Sequence, residues 1–98
     1  MQQPTREDIK RCVREAVTKT STGGLNQPLH PFPWDARTDN VFRSDVRRVL
    51  SAVDEMCAAL GLEFSPSQLP QQSIFKTFPR LANFCAYLEY RLLHMRNN

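Results

Sequence analysis

Residues 41–61 read VFRSDVRRVLSAVDEMCAALG, and this stretch decides the fold class. Its apolar residues Phe42, Val46, Val49, Leu50, Val53, Met56, Cys57 and Leu60 recur at the i, i+3, i+4, i+7 spacing that lines one face of a helix. The charged residues Arg47, Arg48, Asp54 and Glu55 fall between them. The pattern predicts a helix that opens between Val41 and Ser44 and runs to Leu60. Gly61 follows as its stop, since glycine enters the left-handed conformation that ends helices at little cost. Ser44 stands near the predicted start, where a serine hydroxyl commonly caps the first free amides.

Working outward, Ile9, Cys12, Val13, Ala16 and Val17 form a second helical stripe, with Arg6, Glu7, Lys10, Arg11 and Arg14 on its other side. A first helix from Arg6 to Lys19 is predicted, capped by Thr5 with Asp8 reaching back in a capping box. Gly23-Gly24 and then Pro28, Pro31 and Pro33 break the helical pattern, because proline lacks the amide hydrogen and clashes with the preceding turn. The long connection also carries Leu25, Leu29, Phe32 and Trp34, enough apolar surface to pack as an ordered loop. His30 beside Pro31 and Phe32 is a lone histidine, for which a structural or surface role is expected and not that of a ligand or a base.

Beyond Gly61, Ser65-Pro66 reads as a turn with one short helical turn after it, and Ile74-Phe75 as a plug into the core. The last helix is expected to start near Thr77, with Pro79 in its first turn. Its stripe is Phe78, Leu81, Ala82, Cys85, Leu88 and Leu92, widened by Phe84, Tyr87 and Leu93. Arg91, His94 and Arg96 suit the negative end of its dipole. Three long amphipathic helices and a short fourth segment make an all-α bundle occupying residues 1–98 as a single domain.

Composition narrows the function classes. The chain is 41% apolar and 23% charged, ordinary values for a globular protein, and no apolar run approaches the length of a membrane span. The acid-bearing N-terminus is unlike a signal peptide, so a cytoplasmic location is expected. Cys12, Cys57 and Cys85 include no Cys-x-x-Cys pair and each lies on a predicted apolar face, as reduced thiols acting as small hydrophobes would. Gly-rich phosphate loops, nucleophile elbows and His-Glu-x-x-His zinc motifs are all missing from the sequence. The expectation is a binding domain and not an enzyme, with no catalytic residues and no metal site.

The order of a first helix, a long connection, a strong second helix, a short segment and a last helix resembles the acyl carrier proteins. Asp45-Val46 onward to Leu60-Gly61-Leu62-Glu63-Phe64 resembles that family's second helix and the step after it. Ile74-Phe75-Lys76-Thr77-Phe78-Pro79-Arg80-Leu81 is similar to the entry into its last helix. The resemblance spans nearly the whole chain and implies a four-helix carrier topology. In that family an Asp-Ser-Leu motif opens the second helix, and its serine bears 4′-phosphopantetheine. Here a gapless register puts Val46 at that position. A small shift offers Ser44, but in the order Ser-Asp, so Ser44 is the one candidate for attaching the arm and no arm is expected.

Charge departs from the family as well. Carrier proteins present an acidic second helix, whereas Arg43, Arg47 and Arg48 cluster at this one. With a net charge of +3 and a pI near 9.0, that cluster calls for a protein partner with an acidic surface. Phe32 and Trp34 are the aromatic candidates for the same contact. The alternatives are an interaction module of another helical fold and a basic domain that binds nucleic acid. The scattered positive charge argues against the last.

Overall fold

The computed structural model describes residues 4–21 and 32–96; Gly23, Gly24, Leu25, Pro28, Leu29, His30 and Pro31 lie outside the described residues. Among the described residues five helices follow in order: α1 (Arg6–Ser21), α2 (Thr38–Val41), α3 (Val46–Ala59), α4 (Ile74–Thr77) and α5 (Ala82–Arg96). Single turns of 3₁₀ helix at Pro66–Gln68 and Gln71–Ser73 lie between α3 and α4. The long elements α1, α3 and α5 form an all-α bundle in which α1 packs most closely along α3 and also on α5.

α1 begins as its sequence requires. The Asp8 amide donates to Thr5 Oγ1 at 3.2 Å and the Thr5 amide donates back to Asp8 Oδ2 at 2.9 Å, a complete capping box. The bonds from the Thr5 amide and hydroxyl hold the Asp8 carboxyl below its ordinary pKa. Ile9, Val13, Ala16 and Val17 are buried, facing Val49, Ala52, Val53, Met56 and Cys57 of α3 in one core cluster. At its far end α3 closes in a Schellman arrangement. Gly61 takes φ 73°, the Leu62 amide donates to the Cys57 carbonyl at 2.8 Å, and the Gly61 amide donates to that of Ala58 at 3.2 Å. A Cβ at Gly61 would meet nothing within 4 Å, so glycine is there for its backbone freedom and not for space.

The last helix differs from its predicted form. It starts at Ala82 and not at Thr77, because the segment before it is used for something else. Residues 34–38 and 79–82 run antiparallel: the Thr38 amide donates to the Pro79 carbonyl, the Leu81 amide to Ala36, and the Ala82 amide to Trp34, all within 3.2 Å. These bonds supply partners to amides at the head of α5 that would otherwise need a cap. Thr77 instead donates its hydroxyl to the Ser73 carbonyl. Leu81, Phe84 and Leu88 are fully buried, Cys85, Tyr87 and Leu92 are half-buried, and Ala82 and Leu93 are exposed. Ile74 fills the core as expected and Phe75 packs at its edge.

Candidate functional site

The basic cluster sits on a joint, not on a continuous helix. Phe42 belongs to the core at 0% exposure, but it is the C-cap of the short α2 and precedes a reversal of the chain. The Ser44 amide donates to the Asp39 carbonyl at 2.8 Å and the Arg43 amide to that of Asn40 at 3.3 Å. This is a second Schellman turn, with Arg43 where glycine is usual. Arg43 and Ser44 take φ of 53° and 58° in succession, a left-handed pair that costs L-residues about 1–2 kcal/mol each. Thr38 Oγ1 and Asp39 Oδ1 in the same turn are buried and have no hydrogen-bond partner among the described residues.

α3 therefore opens later than the hydrophobic pattern suggests, and its cap is Asp45 and not Ser44. Asp45 Oδ1 accepts from the Arg47 amide at 3.0 Å and the Arg48 amide at 3.4 Å. Asp45 outperforms serine here because its charge also favours the positive end of the helix dipole. Ser44, relieved of capping, is exposed in the turn.

The three arginines have different surroundings. Arg48 is half-buried and its Nε lies 3.5 Å from Asp45 Oδ2. Arg43 and Arg47 are exposed. Among the described residues neither has a carboxylate within ion-pair distance. Elsewhere Arg6 pairs with Glu89, Arg11 with Asp8, Lys19 with Glu55 and Arg37 with Asp39, while Lys10, Arg14 and Lys76 have no ion pair among the described residues. Two unpaired cations thus project beside the positive end of α3.

The aromatic candidates do not extend this surface equally. Phe32 is 9% exposed and packs edge-on to Trp34 at 4.5 Å between ring centroids. Phe32 thus belongs to the core cluster and offers little surface of its own. Trp34 remains half-buried, with an edge open to a partner.

The thiols are poorly suited to nucleophilic work. Burial pushes all three above their ordinary pKa, Cys85 to about 11, where Glu89 adds to the effect; a reactive cysteine needs the opposite shift. All three are free. Among the described residues no group of His, Cys, Asp or Glu is placed to hold a metal, and no helix is long and apolar enough to cross a membrane.

The periodicity gave no sign of a cleft of about 670 Å³ between the end of α3 and the outer face of α5. Tyr87, Tyr90, Arg91 and His94 line one wall, with Gly61, Leu62, Glu63 and Gln68 opposite. The available signal was an excess of aromatic and apolar residues on the last helix, more than one buried stripe can take.

Compared with known proteins, the chain matches no protein-family profile, no curated protein and no solved structure.

Strain at the arginine turn has a measurable consequence. Arg43→Gly should raise the unfolding free energy by about 0.5–1 kcal/mol, since relief of the left-handed penalty exceeds glycine's extra unfolded-state entropy. Urea unfolding checks this; a destabilised Arg43→Gly protein would show that the arginine side chain itself holds the turn.

Proposed function

We propose that this chain is a non-catalytic, acyl-carrier-protein-like binding domain that carries no phosphopantetheine arm and docks an acidic protein surface through Arg43 and Arg47. The observation that carries the reading is this pair of exposed, unpaired arginines, held at the head of α3 by a turn whose backbone is strained. Strain of this kind is retained where the surrounding structure enforces it and is concentrated at binding sites. Trp34 contributes a rim contact, and Arg48, paired with Asp45, lies beside the two arginines.

The succession of long α1, long connection, α3, short α4 and long α5 supports the carrier-like part. The reversed order Ser44-Asp45, with Asp45 committed to capping, supports the absence of the arm. A protein partner is favoured over nucleic acid because the basic residues are spread along the chain and Arg6 and Arg11 of α1 pair with Glu89 and Asp8, so that Lys10 and Arg14 do not by themselves make α1 a dense basic face. The free thiols, serving as small apolar groups, suit a reducing cytoplasm.

Intact mass after incubation with a broad-specificity phosphopantetheinyl transferase and coenzyme A tests the armless reading. The expected result is an unchanged mass. A gain of about 340 Da, the size of the arm on a serine nucleophile, mapped to Ser44, would overturn it.

A further inference from the structure

We infer that the cleft between the end of α3 and the outer face of α5 binds a small aromatic monocarboxylate. The inference is independent of the docking surface and rests on different side chains. Arg91 is its centre. The guanidinium is half-buried, 6.0 Å from the Tyr87 ring centroid, and its Nη1 lies 3.5 Å from Tyr87 Oη and 3.7 Å from Cys57 Sγ. Both neighbours are neutral, and no carboxylate among the described residues lies within 4 Å of Arg91. A guanidinium has five N–H donors in a planar fork made for a carboxylate. Here a single one of its nitrogens is engaged, by two weak acceptors.

The rest of the lining supplies a place for a flat ring. Tyr90 is 62% exposed, a large side chain left in solvent, and its ring lies 4.0 Å from that of His94. Leu62, nearly buried, gives an apolar surface on the facing wall. The volume of about 670 Å³ is in the usual range for small-molecule sites, which combine apolar and aromatic walls with a few polar groups. Glu63 on the opposite wall sets the charge: it repels a second negative group, so one carboxylate at Arg91 is favoured over a phosphate dianion. Gln68 offers a neutral donor and acceptor for a ring substituent.

Amide NMR titration of the whole chain with 1-naphthoate tests this. Saturable shifts are expected at Leu62, Glu63, Gln68, Tyr90 and His94, with a Kd on the order of 0.1–1 mM for a ligand of this size. Acetate and 1-naphthalenemethanol, each supplying half of the recognition, should bind at least about tenfold more weakly, as should phenyl phosphate. Arg91→Met keeps the aliphatic stem and should weaken 1-naphthoate binding about tenfold. Tyr90→Ala, at an exposed position that the fold does not need, should weaken it about three- to tenfold. Non-saturating shifts, shifts confined to other surfaces, or affinities within about twofold of the parent in both variants would overturn the proposal. Tighter binding of phenyl phosphate than of 1-naphthoate would overturn the assignment to carboxylates.

Discussion

Phe84→Ala is expected to lower the unfolding free energy by about 3–5 kcal/mol. Phe84 is fully buried, stacked on Phe78 at 4.6 Å between ring centroids and edge-on to Phe42 at 6.3 Å. Phe78 in turn meets Tyr87 edge-on at 5.3 Å. The ring therefore joins α5, the segment that enters it and the turn that carries Arg43. Truncation removes apolar burial and leaves a void between rings that are fixed by separate backbone segments, so collapse around it is restricted. A domain of this size has about 5–15 kcal/mol in total, and a loss of this size takes a large part of it. Urea denaturation gives the value directly. A loss below about 1 kcal/mol would mean that Phe84 is not at the centre of the core.

The second large effect concerns binding and should leave the fold intact. Arg43→Glu with Arg47→Glu turns two attractive cations into repulsive anions at the proposed interface. Opposing an acidic partner, the pair should lose about 2–4 kcal/mol, or roughly 30- to 1000-fold in affinity. Stability should hold because both side chains are exposed and neither has a carboxylate partner among the described residues. A glutamate at position 47 lies in the first turn of α3, where a negative charge favours the helix. Binding and stability are therefore expected to separate in this variant, unlike in Phe84→Ala.

The three long helices were legible in the sequence because each carries an apolar stripe of the right period, and burial follows those stripes in α1 and α3. The capping box at Thr5 and the stop at Gly61 were legible too, since each depends on residues within a few positions. The start of α3 was not. Phe42 continues the helical period and is buried, so the hydrophobic pattern runs through a chain reversal at Arg43 and Ser44 that no glycine or proline marks. The start of α5 was hidden for another reason. Its first amides are satisfied by carbonyls of residues more than forty positions earlier in the chain, and local sequence carries no sign of such a partner.

The site was partly legible. The arginine cluster is visible as charge, but the pairing of Arg48 with Asp45 is not, because Asp45 reads equally well as a surface acid. Phe32 reads as available for contact because it stands in a proline-rich stretch with no helical stripe to mark it as core, yet it joins the core cluster. The cleft lined by Tyr87, Tyr90, Arg91 and His94 has no local signature: Tyr87 fits the apolar stripe, Arg91 and His94 suit the helix dipole, and the facing wall comes from the turn after α3.

The docking claim is tested most directly by quantitative affinity capture from an extract of the protein's own source cells, with three immobilised proteins in parallel. These are the parent chain, Arg43→Glu/Arg47→Glu, and a control of equal charge change, Arg14→Glu/Lys76→Glu, at exposed positions of α1 and α4. The expected result is a protein with an acidic surface, released by moderate salt, that the parent and the control retain and the Arg43/Arg47 variant loses. Equal retention by all three, or equal loss from both variants, would contradict docking through the arginine turn.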